Sequence, residues 1–157
     1  MFHIGELVCY PMHGVGKVEA IEEHTVLGEI TQYYLLRFLA GRMTAMIPVK
    51  SADSVGLRAV AEPTVCENVI RFLSNDVFAE ESDNWNQRYR ENLDKLKEGR
   101  IDNVANVVKC LMRREKDKGL SAGERKMFLT ARQVLVAELA ASTGREEAEL
   151  MPLVGGR

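Results

Sequence analysis

Apolar and polar residues alternate along the first sixty positions and then change to a helical spacing. Leu7-Val8-Cys9-Tyr10 is a short apolar run stopped by Pro11, and His13-Gly14-Val15-Gly16 supplies a turn with two glycines. Residues 15–21 have a strand's composition, a turn ends at Gly28, and Tyr33-Tyr34-Leu35-Leu36-Arg37-Phe38 is rich in β-formers. A turn at Ala40-Gly41 leads into Met43-Thr-Ala-Met46-Ile47-Pro48. Short strands joined by tight turns predict a small twisted antiparallel sheet or open barrel. Pro48 has no N–H to give a ladder, so it closes a strand or lies on an edge.

Pro63 suits the first turn of a helix whose apolar stripe reads Val65, Val69, Ile70, Phe72 and Leu73. After an acidic link over residues 74–84, Asp83 or Asn84 can cap a helix from Trp85 to Glu98, ended by Gly99. The next helix buries Ile101, Val104, Ala105, Val108, Leu111 and Met112, with Lys109, Arg113 and Lys116 on another side, and stops at Gly119. Ser121-Ala-Gly-Glu124 has capping-box spacing and opens a helix to about Ala141, with Phe128, Ala131, Leu135 and Leu139 inward. From Ser142 the pattern is weakly helical, and Gly155-Gly156-Arg157 is expected to fray. The fold class is α+β, with a β domain over 1–60 and an all-α domain over 61–157.

Composition narrows the chemistry. The chain has 157 residues, 46% hydrophobic, enough to bury a core without staples. Cys9, Cys66 and Cys110 are far apart and odd in number, which suits small buried hydrophobes and neither disulfides nor zinc. His3, His13 and His24 have no Cys or carboxylate at ligand spacing, so no metal is expected. Gly14-Val-Gly16 lacks the strand-to-helix context of a dinucleotide loop. Adjacent acids at Glu22-Glu23, Glu80-Glu81 and Glu146-Glu147 point apart. With no catalytic pairing, no enzyme, cofactor or small-molecule substrate is expected. Neither a signal-type N-terminus nor a span-length apolar run is seen, which makes cytoplasm the simplest address.

Charge is local. The formal total is -2, yet residues 100–132 hold nine Lys/Arg against four Asp/Glu, which points to one binding face. Trp85, the single tryptophan, stands at a helix start among Asn, Gln and Arg, a context that fits either a nucleic-acid contact or a hinge between domains. Arg88, Arg90, Lys97, Lys109, Arg113, Arg114, Lys116, Arg125 and Lys126 are candidate DNA contacts or an ordinary solvated face. Met46 reads from sequence as a core filler.

Ile4-Gly5-Glu6-Leu7-Val8-Cys9-Tyr10-Pro11-Met12-His13-Gly14-Val15-Gly16, Met46-Ile47-Pro48 and Val55-Gly56-Leu57-Arg58 resemble the RNA-polymerase-interacting domain shared with the transcription-repair coupling factor. Asn84-Trp85-Asn86-Gln87-Arg88-Tyr89 and Gly119-Leu120-Ser121-Ala122-Gly123-Glu124-Arg125-Lys126-Met127 resemble the helical domain of the CarD/CdnL family of bacterial transcription regulators. The resemblance covers nearly the whole chain. It implies a Tudor-like sheet that adds edge to edge to the polymerase β subunit, with Arg42, Thr44, Met46 and Pro48 at that edge. It also implies a helical domain on promoter DNA just upstream of the melted region, weakly sequence-specific, with Trp85 as a minor-groove wedge that stabilises the open complex. Family members commonly have consecutive basic residues after the tryptophan segment. Here Gln87 departs from that pattern, which implies one phosphate contact fewer and a salt slope lower by about one unit, with Gln87 still a candidate DNA contact through a hydrogen bond to a phosphate or a base edge. The competing expectation is a docking module on polymerase that makes no use of DNA.

Overall fold

The computed structural model describes residues 1–78 and 81–156, so Glu80 and Arg157 lie outside the described residues. Five strands form one sheet: β1 (Leu7–Tyr10), β2 (Gly14–Val26), β3 (Glu29–Phe38), β4 (Thr44–Pro48) and β5 (Arg58–Ala59), in the order β4-β3-β2-β1-β5. All pairings are antiparallel, as expected of strands joined by short turns. The register of β2 against β3 slips between Val18 and Ala20, leaving Glu19 unpaired in the ladder, and its side chain meets Arg37. Val8, Val18, Tyr34, Leu36, Ile47, Ala52 and Leu57 close the core on one face of the sheet. β5, a two-residue strand, had no signal in the alternation pattern.

The helices are α1 (Pro63–Ser74), α2 (Trp85–Glu98), α3 (Ile101–Asp117), α4 (Ala122–Thr143) and α5 (Glu147–Leu150). Asn84 caps α2, its side chain accepting from the Gln87 amide at 3.0 Å, and Ser121 caps α4. Gly99, in the left-handed region at φ 79°, ends α2 where the sequence predicts. The buried stripe of α1 is Cys66, Val69 and Leu73, whereas Val65 is exposed because it is turned about 100° from Cys66. The expected loose tail is instead α5 followed by a 3-10 turn over Met151–Val154, with Leu150 and Val154 buried in the helical core. Two apolar side chains at the right spacing hold a segment too short to be helical on its own.

Sheet and helices meet along a tight seam. Arg58 on β5 makes a two-pronged ion pair with Glu138 on α4, at 2.5 and 2.7 Å, and its Nε donates to the Gly99 carbonyl at 3.0 Å. The Glu138 carboxylate also accepts from the Ala61 amide at 2.8 Å, and Ser142 donates to the Ala61 carbonyl at 2.6 Å. Pro11 lies so close to Gly99 that a Cβ there would sit 2.5 Å from its Cγ, so the position requires glycine for space as well as for φ. Among the described residues no helix is long and apolar enough to cross a membrane.

Candidate nucleic-acid interface

The N-terminal ends of α2 and α4 lie side by side. Tyr89 packs against Gly123, with 3.4 Å from its Cε2 to the site of a Cβ, and Trp85 stacks on Tyr89 with ring centroids 5.1 Å apart and planes 18° apart. The spacing of four between the two aromatics puts them on one helix face. Trp85 Nε1 donates to Glu124 Oε1 at 3.1 Å and to Ser121 Oγ at 3.3 Å. The indole keeps 42% of its residue area exposed, and its one polar side-chain atom is engaged, so the part left at the surface is hydrocarbon. Its partners all belong to α2 and the start of α4, not to the sheet, which removes the hinge reading.

Beneath it lies a charged cluster. Arg88 is 3% exposed; its Nε reaches Glu124 Oε2 at 3.3 Å and Glu81 Oε2 at 3.9 Å, and its Nη1 donates to the Ser82 carbonyl at 3.2 Å. Arg114 Nε stands 3.8 Å from the same Glu124 oxygen. Burial works against ionisation of Glu124, but the hydrogen bond and charge of Arg88, then Ser121 and Trp85, outweigh it and hold the carboxyl below its ordinary value. For Glu81 burial wins over Arg88 and Arg114, and its carboxyl is raised.

Two expected DNA contacts are corrected by this geometry. Arg88 is consumed inside the cluster. Lys109 is 1% exposed, its Nζ donating to the Phe72 carbonyl at 2.6 Å, Asn75 Oδ1 at 2.5 Å and the Val77 carbonyl at 2.5 Å, with the Phe72 ring centroid 4.1 Å away. Three donors meet three acceptors, so the ammonium is fully satisfied although burial pushes its pKa down. Both residues look surface-facing on a helical wheel because the partners that bury them, Glu124 for Arg88 and Phe72, Asn75 and Val77 for Lys109, are 32 to 37 residues away in sequence.

The remaining candidates divide by surroundings. Arg113 lies over the Phe78 ring and pairs with Asp117 at 3.7 Å, while Arg125 pairs with Glu115 at 2.6 Å. Arg90, Lys116 and Lys126 are exposed, the last on the first turns of α4. Lys97 is exposed at the far end of α2, about 18 Å from Trp85 along the axis, away from the cluster. The Gln87 amide donates to Glu91 at 2.9 Å. Sequence reasoning missed Tyr89 as the platform for Trp85 and Glu124 as its acceptor; the aromatic spacing of four was the available signal for the first.

In the sheet, β4 is an outer strand. The Phe38 amide donates to the Met43 carbonyl at 3.1 Å, and with Leu36 opposite Ala45 and Tyr34 opposite Ile47 the alternation of the ladder turns the backbone groups of Thr44, Met46 and Pro48 outward. Pro48 therefore costs the sheet no hydrogen bond. Met46 is 46% exposed on the face opposite buried Ile47, so it is not a core filler, and Arg42 and Thr44 are exposed beside it. Among the described residues no group of His, Cys, Asp and Glu could hold a metal. The three cysteines are buried, and burial pushes up the thiols of Cys9 and Cys66.

Residues 2–61 match the CarD-like/TRCF RID domain, and residues 68–154 match the CarD C-terminal domain. The chain is also 40% identical over 153 residues to "Putative transcription factor YdeB" of Bacillus subtilis (strain 168), covering 96% of this chain and 97% of that protein. With both halves matched in the order the sheet and helices occupy, the chain belongs to the CarD family of transcription regulators.

Proposed function

We propose that this regulator binds the β subunit of RNA polymerase through the outer edge of β4, in residues 1–60, and promoter DNA through residues 61–157. On this reading Trp85 enters the minor groove just upstream of the melted region and stabilises the open complex. The observation that carries the proposal is the Trp85 ring itself, an exposed hydrocarbon edge whose plane is set by Tyr89 and whose N–H is occupied by Glu124. A wedge of this kind costs a few kcal/mol of unstacking, offset by the contacts of a bent duplex. Because the N–H is engaged within the protein, the ring offers no donor to a base edge, which suits weak sequence specificity. The adjacent N-termini of α2 and α4 add partial positive charge, and exposed Arg90, Lys116 and Lys126 supply phosphate contacts. Gln87, turned to Glu91, makes no such contribution. On β4 the outward backbone groups of Thr44 and Met46 are available for strand addition, with Met46 an adaptable side chain.

The test is the lifetime of open complexes formed by purified bacterial RNA polymerase on a ribosomal RNA promoter, with wild type, Trp85→Ala or Met46→Glu. Wild type is expected to lengthen it about tenfold, the equivalent of 1.4 kcal/mol of preference for the open state. Trp85→Ala should lose that gain while still binding polymerase, and Met46→Glu should lose both. A Trp85→Ala protein that lengthens the lifetime as wild type does would favour the docking module that makes no use of DNA.

A further inference from the structure

The spacing Ser121-Ala-Gly-Glu124 predicts a reciprocal cap in which the glutamate reaches back to the backbone at the start of the helix. Only the serine half forms: Ser121 Oγ accepts from the Glu124 amide at 3.2 Å, while the Glu124 side chain turns across to α2. Its Oε1 takes the Trp85 N–H at 3.1 Å and the Ser121 hydroxyl at 3.2 Å; its Oε2 takes Arg88 at 3.3 Å. The carboxylate is buried, a placement that is unfavourable unless charge and hydrogen bonds compensate it. For a helix cap alone none of this is needed. Stacking on Tyr89 fixes the plane of the indole but leaves it free to turn within that plane or swing to another rotamer. The bond to Oε1 removes that freedom, and Arg88 on the second oxygen holds the carboxylate still.

We propose that Glu124 is the positioning residue for Trp85: locked by Arg88, its carboxylate fixes the indole in the one orientation that leaves the hydrocarbon edge protruding, so the ring meets DNA already ordered. This rests on the wedge reading of Trp85. A ring ordered in advance does not pay for that ordering on binding.

Two variants test it. In Glu124→Gln the single amide oxygen goes to the buried guanidinium, and the NH2 group is left facing the indole N–H. In the double variant Arg88→Met/Glu124→Met the buried pair is removed together, and Glu81 and Arg114, which each lose one partner, remain as opposite charges that act on each other, so the fold is expected to be kept. Because Trp85 is the only tryptophan, acrylamide quenching of its fluorescence reads its placement directly. Both variants are expected to raise quenching and, with three side-chain wells open in place of one, to shorten the open-complex lifetime about threefold at saturating protein. Affinity for polymerase without DNA should be unchanged. Wild-type quenching in both variants, or raised quenching with a wild-type lifetime, would overturn the proposal while leaving the wedge intact. A Trp85→Ala protein with a wild-type lifetime would overturn the wedge and this role together.

Discussion

Lys109 is a cation with a structural task. Its three bonds tie the Phe72 carbonyl in the last turn of α1 to Asn75 and Val77 in the segment that follows, and the Phe72 and Phe78 rings lie 4.1 and 4.8 Å from the ammonium. Replacing it with Met keeps the volume and strands three acceptors, so Lys109→Met is expected to lower unfolding free energy by about 3 kcal/mol, measured by urea denaturation. On the proposed reading the salt slope of DNA binding should not move. Lys126→Ala should do the reverse, lowering the slope by about one unit with stability kept. The same distinction explains what the sequence leaves hidden at this scale. Trp85 stands out as a lone aromatic in polar company, but the roles of Arg88, Lys109 and Glu124 are fixed by partners on other segments of the chain. Residue type and spacing cannot supply those partners. Met46 could be placed at the edge only through the resemblance, since a methionine in a strand is equally at home inside.

The β2–β3 hairpin shows a conflict between local preference and the residue present. Its turn places Leu27 at φ 52° and Gly28 at φ 81°, and Leu27 is 99% exposed. Two positive φ values in a two-residue hairpin turn favour Asn-Gly, because Asn tolerates the left-handed region better than leucine does. Leu27→Asn is therefore expected to stabilise the protein by about 1 kcal/mol, seen as a raised urea midpoint with an unchanged slope. Most elements were legible in the pattern: the start of α1 at Pro63, the span of α2 from Trp85 to Glu98, and the Ser121 cap all follow from local chemistry. The misses have a common physical cause. β5 and the α5 segment are too short to show a period, and they are held by tertiary contacts: β5 by pairing with β1 and by the Arg58–Glu138 bond, α5 by burial of Leu150. Val65 was misplaced for a different reason: Val65 and Cys66 are adjacent apolar residues that both fit the spacing to Val69 and Leu73, and only the packing decides which of them faces inward.

For the whole molecule the decisive contact is Glu138. Its carboxylate accepts two bonds from Arg58 and one from the Ala61 amide, joining the last strand to the longest helix. Glu138→Ala strands a largely buried guanidinium and an amide, and is expected to cost about 3–5 kcal/mol by chemical denaturation. Glu138→Gln, which keeps one acceptor, should cost less. The change of period near residue 60 was visible in the sequence, but not that the two halves would share this seam, because neither Arg58 nor Glu138 has a local pattern to mark it. On the proposed function the seam also bears on how a promoter is chosen. With Arg58 held by Glu138 and Pro11 against Gly99, the outer edge of β4 and the indole of Trp85 stand at a set separation, like the jaws of a gauge. On the proposed reading, a polymerase gripped by one jaw dictates the base step met by the other. The protein would then find its place on DNA by measuring distance from the enzyme, and any promoter whose duplex opens at that distance would serve, whatever letters it carries there.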